Sequence, residues 1–112
     1  MAGSWVQPTI ESFQDAASNA DWEHADGYYL VLTDQPGEGS WPIAGATFIL
    51  IHKDQKDAAK AKAMFAFFDW CYDHGDDMAT DKDYVPVPDN VVKMVRNTWM
   101  TEVTSGGVAV YK

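Results

Sequence analysis

Apolar residues recur at helical spacing in several stretches of this chain, separated by polar and glycine-rich breaks. Ile10, Phe13, Ala16, Ala17 and Ala20 follow a three- and four-residue step. They predict a helix over about Thr9–Ala20, with Pro8 in its first turn and Thr9 and Glu11 beside it. Tyr28–Thr33 (YYLVLT) is aromatic and branched, which favours a strand. Asp34–Ser40 (DQPGEGS) is the clearest loop. Pro42 biases Trp41 towards an extended backbone. The apolar run Ala44–Ile51 follows, and Phe48–His52 reads as a buried strand. Asp57 is placed to cap the longest helix, Ala58–His74, which Gly75 ends. Ala61, Met64, Phe65, Phe68, Cys71 and Tyr72 form its stripe. Ala63, Phe67 and Trp70 widen that stripe, so burial on more than one side is expected. A short helix is expected near Met78. Tyr84–Pro88 is held extended by its two prolines. A last helix then starts at Pro88, with Val91, Val92, Val95 and Trp99 on its apolar face, and Val108–Tyr111 suits a short tail strand.

Composition narrows what such elements can do. The chain has 112 residues, 46% apolar and 13% aromatic, which suits one domain with a modest core. No apolar run approaches the roughly 18 residues that span a bilayer. The net charge is −9 and Arg96 is the single arginine, so the clustered cations of a nucleic-acid surface are missing. A small anion can still be held by backbone N–H groups, but it would approach against a repulsive field. Cys71 stands alone, so no intrachain disulfide forms and the redox compartment stays open. The N-terminus, MAGSWVQPT, carries no secretory signal and by itself predicts a cytoplasmic product.

Candidate chemistry is sparse. Asp69, Asp73, Asp76, Asp77, Asp81 and Asp83 invite a calcium reading, but the glycine and glutamate of an EF-hand loop are not at the required positions. They read more simply as a solvated helix end. His24, His52 and His74 show no zinc spacing. His52 suits a half-buried strand end, and Cys71 a buried small hydrophobe rather than a nucleophile. Ser105-Gly106-Gly107 is a weak anion-loop lookalike near a chain end. Trp70 and Trp99 fall on helix faces and read as core, whereas Trp22 and Trp41 lie in more open, loop-like contexts, where packing is still the expected role. No nucleophile elbow, phosphate loop, dinucleotide fingerprint or other cofactor motif occurs, so no catalytic residue, metal ligand or cofactor is assigned.

Taken together, PTIESFQDAASNADW (Pro8–Trp22), YYLVLTDQPGEGSWPIAGATFILIHKDQKD (Tyr28–Asp57) and KAMFAFFDWCYDHGDDMATDKDYVPVPDNVVKMVRNTW (Lys62–Trp99) resemble the C-terminal portion of the phosphate-binding proteins of Pst-type ABC transporters. The set SWPI…TFIL, FFDW and DYVPVPDNVV carries the resemblance. It implies the α/β fold of type II periplasmic binding proteins, two lobes with a cleft between them. For this chain alone it implies an α+β fragment, with about three main helices and about two or three strands. Residues 1–40 would end the second lobe, 41–45 would be a hinge crossing, and 46–112 would return to the first lobe. Standing alone, 1–112 would form one unit. Trp41, Pro42 and Ile43 are the hinge candidates. The family's phosphate contacts come from regions that precede these residues, so no phosphate-binding residue is assignable here.

The resemblance further implies a non-enzymatic, periplasmic role. Inorganic phosphate and an ABC permease would be partners of the complete parent. An N-terminal complement or a homo-oligomer would cover the cut surfaces of this chain. The alternatives are an independent protein-interaction module derived from that family and, with least support, a small acidic hydrolase or metal protein.

Overall fold

A capping box starts the first helix. The Ser12 N–H donates to Thr9 Oγ1 at 3.2 Å, and the Thr9 N–H donates to Ser12 Oγ at 3.0 Å. Thr9 is therefore the cap, and Pro8 stands just outside the first turn. In this computed structural model, which describes residues 3–112, helix α1 spans Ile10–Asn19. The elements that follow are a 3-10 turn at Asp26–Tyr28, α2 at Ala58–His74, α3 at Asp76–Asp81, α4 at Asp89–Glu102, β1 at Thr104–Ser105 and β2 at Val108–Ala109. This is an α+β chain, as expected. The chain forms two compact units, one of residues 3–48 with Val85–Val91, the other of Ile49–Tyr84 with Val92–Lys112.

In the first unit α1 buries Ala16 on its inner side, and Ala20, at its C-cap, is buried as well. Trp22 is only 6% exposed, and its indole N–H donates to the Ala17 carbonyl at 2.7 Å. The packing role expected of Trp22, despite its loop-like context, is thus what the ring has. A satisfied N–H lets the large ring pack, and it lies edge-on to Tyr28 and to Phe48. The strand expected over Tyr28–Thr33 is also absent. Gly27 and Tyr28 take positive φ within the turn, and only Thr33 pairs, in a single antiparallel bridge with Ile43. Leu32 is buried while Tyr29 and Val31 are exposed. The alternation of a strand is present in the sequence, but a strand exists only where a neighbour accepts its hydrogen bonds.

The second unit is built on α2. Asp57 caps it, accepting from the Lys60 N–H at 3.0 Å, and Gly75 closes it with its N–H on the Cys71 carbonyl. Ala61 and Phe65 of α2 form a core with Trp99 of α4, Val103 and Val110. The Phe65 ring lies 5.0 Å from Trp99, and Tyr111 stands edge-on to Trp99 at 5.3 Å. Burying one such ring stabilises by about 1.5–3 kcal/mol. The β1–β2 hairpin turns through Gly106 and Gly107, both at positive φ, as a tight two-residue turn demands. Thr104 also bridges Asp54 in parallel.

Two expectations fail in this unit for one reason. Phe48–His52 belongs to no strand or bridge, and its exposed end includes His52. On α2 the widening residues Ala63, Phe67 and Trp70 are exposed, so the helix is buried on one side only and Trp70 is not core. Among the described residues there is no neighbouring strand for the first and no second layer for the other.

Candidate functional site

The hinge candidates Trp41, Pro42 and Ile43 end the loop that leaves Thr33. The Asp34 N–H donates to the Pro42 carbonyl at 3.0 Å, next to the Thr33–Ile43 bridge, so the loop closes on itself. Inside it, Ser40 is buried and donates from Oγ to the Pro36 carbonyl at 2.6 Å. Its Oγ also accepts from Asn19 Nδ2 at 3.2 Å. Gly37 sits at φ 104°, a left-handed backbone that favours glycine, and a Cβ there would also have to displace the Asn19 amide 2.6 Å away.

Trp41 is then tied to α1. Its N–H donates to the Ser12 carbonyl at 2.9 Å, and its ring lies 6.1 Å from Phe13. A carbonyl oxygen carries two lone pairs, so the Ser12 carbonyl can accept this bond from outside the helix. Trp41 is therefore anchored to α1 by a backbone bond and Pro42 to Asp34 by another, whereas the Ile43 side chain is exposed. All three residues are thus tied through their backbones, Ile43 by its bridge to Thr33.

Beside them lies a shallow depression of about 280 Å³, lined by Trp5, Trp41, Pro42, Asp34 and Glu38 among others. Its ionisable lining is two carboxylates with no lysine, arginine or histidine, the wrong sign for an anion.

The single guanidinium is committed elsewhere. In the second unit Arg96 Nε donates to Asp69 Oδ1 at 2.6 Å and its Nη2 to Asp73 Oδ1 at 2.7 Å. Tyr111 Oη donates to the same Asp69 oxygen at 3.0 Å, and the guanidinium lies 5.9 Å over the Tyr72 ring. The bond from Asp73, followed by that from Asp69, holds Arg96 protonated beyond its ordinary range. Burial, then the Asp69 bond, pushes the Tyr111 phenol up. Sequence reading did not find this cluster. Its one signal is that Asp69 and Asp73 stand four apart and so share a face of α2. The acidic run thus divides: these two carboxylates pair, and the others continue through α3 and the turn after it.

The histidines have separate surroundings. His24 Nδ1 meets Asp21 Oδ1 at 2.7 Å, and His74 Nδ1 meets the Trp70 carbonyl at 3.1 Å, with the two rings stacked. Among the described residues no group of three or more histidine, cysteine, aspartate or glutamate side chains is placed to hold a metal.

No family model matches the chain. Curated relatives do. The phosphate-binding protein PstS of Xylella fastidiosa (strain Temecula1) is 50% identical over 101 residues, 90% of this chain and 28% of that protein. The PstS of Pasteurella multocida is 47% identical over 104 residues, 93% of this chain and 30% of its own length. That of Haemophilus influenzae is 46% identical over 102 residues, 91% of this chain and 30% of its own length. The chain thus spans less than a third of the length of these relatives. Over about nine-tenths of its residues, this chain matches the C-terminal portion of the PstS family of phosphate-binding proteins.

Proposed function

We propose that this chain serves a phosphate receptor of an ABC-transporter uptake system and supplies scaffold and a hinge crossing rather than phosphate contacts. The observation that carries the reading is the 46–50% identity to proteins named for phosphate binding. Two features of the chain support the absence of ligand contacts. Arg96 is saturated by Asp69 and Asp73, and the depression beside Trp41 is lined by carboxylates. In this reading residues 1–40 end one lobe, Trp41, Pro42 and Ile43 begin the crossing, and 46–112 return to the other lobe. The passage of the chain from one compact unit to the next after Phe48 supports a crossing in this region. The receptor works in the periplasm, hands phosphate to a permease and catalyses nothing. Among the described residues no helix is long and apolar enough to cross a membrane.

Calorimetric titration of the chain with inorganic phosphate tests the claim. No binding heat is expected, and stoichiometric micromolar binding would overturn it. The exposed apolar residues Leu50, Phe67 and Trp70 favour a second reading, an interaction module with another partner. Sedimentation separates the two, because a module remains folded and monodisperse and gains nothing from the rest of a receptor.

A further inference from the structure

Trp5 has its whole side chain exposed, and it lines the same depression of about 280 Å³ as Trp41, Asp34 and Glu38. An exposed indole beside a second one has the composition of a contact surface. The floor of the depression is held in advance. The Trp41 N–H is bonded to the Ser12 carbonyl and the Asp34 N–H to the Pro42 carbonyl, and Ser40 is fixed between Pro36 and Asn19. Little ordering is left for a ligand to impose, which lowers the cost of binding. Asp15 brings a third carboxylate against Gly39 of the same loop. Indole faces attract cations through their quadrupole, and carboxylates attract them through charge. Among the described residues no three carboxylates converge as a metal ion requires. The cation that suits an aromatic face and a carboxylate together is planar and weakly hydrated, which describes guanidinium better than ammonium.

From these observations we infer that the depression between Trp5 and Trp41 binds an arginine side chain presented by a basic segment of a partner protein, with the guanidinium stacked on Trp5 and paired with Glu38. The net charge of −9 draws such a segment in from a distance, and the aromatic face selects arginine on arrival. The inference does not depend on the phosphate reading, because it concerns a cation and uses other residues.

The test titrates the whole chain with a capped glycine peptide carrying one central arginine and follows the indole N–H resonances of Trp5 and Trp41 by NMR. The same peptide with lysine, and with uncharged citrulline, serves as comparison. Both resonances are expected to shift, and the arginine peptide should bind about tenfold more tightly than the citrulline one, the size expected of an exposed cation–π contact and an exposed ion pair together. Trp5→Ala and Glu38→Gln should each weaken the arginine peptide by about threefold, with the other resonances in place because both side chains are exposed. Asp81→Asn removes the same charge from an exposed position in the second unit and should leave the affinity unchanged. Equal binding of arginine and citrulline would overturn the proposal, and so would tighter binding of lysine than arginine. Equal weakening by Asp81→Asn and Glu38→Gln would overturn it too, by reducing the effect to the general field of an acidic chain. Indole resonances that stay in place with every peptide would do the same.

Discussion

His24 and Asp21 form an exposed pair whose chemistry is set by one contact. The Asp21 carboxylate accepts from the imidazole, which lifts the His24 pKa above its ordinary value and lowers that of Asp21. A raised folded pKa means that the protonated form favours the fold. The contribution is complete below the ordinary histidine value of about 6.5 and is lost as pH rises through the raised one. An NMR titration is expected to show His24 titrating above that value, and Asp21→Asn should bring it back down. Gly37 is decided equally locally. At φ 104°, with Asn19 against the site of a Cβ, Gly37→Ala is expected to cost about 1–3 kcal/mol in urea unfolding. The glycine was legible as a loop residue. The reason it must be glycine was not, because the left-handed backbone there is set by how the loop closes in the fold.

At the scale of elements, α2 combines a buried side and an open one from a nearly uniform run of apolar residues. Phe65→Ala should cost about 3–5 kcal/mol, since it empties the centre of the core. Phe67→Ala, two positions on, should stay within about 0.5 kcal/mol in the isolated chain. Equal losses in denaturant titrations would contradict the one-sided packing. The Arg96 cluster ties α2, α4 and the tail together through Asp69, Asp73 and Tyr111. Asp69→Asn removes a charge that raises the Tyr111 pKa, so the phenol should ionise at lower pH in ultraviolet titration. For Tyr111 the raised folded value means stability that is present below the ordinary tyrosine pKa of about 10 and lost above it. The limits of α2 were readable because their signals are local: Asp57 and Gly75 act within one turn. The strands over 28–33 and 48–52 were not, because a strand is completed by residues distant in sequence.

The whole molecule carries a net charge of −9 together with uncovered apolar side chains. Self-repulsion keeps such a chain apart in solution, and salt screens it over about 8–10 Å near physiological ionic strength. Light scattering is therefore expected to rise as salt is added to the isolated chain, and Leu50→Lys should reduce that rise. Scattering that is independent of salt would show that charge does not hold the copies apart.

The sequence by itself determined the helical segments, the caps of α2, the lack of clustered cations and the resemblance to phosphate-binding proteins. Each of these follows from residues close together in the chain or from its composition. Only the tertiary structure decided that Arg96 is spent on Asp69 and Asp73, that Trp22 is buried and Trp70 open, and that the FILI run has no strand partner among the described residues. Those outcomes depend on which surfaces meet. An apolar pattern states that a surface is built to be covered, but only packing shows what covers it.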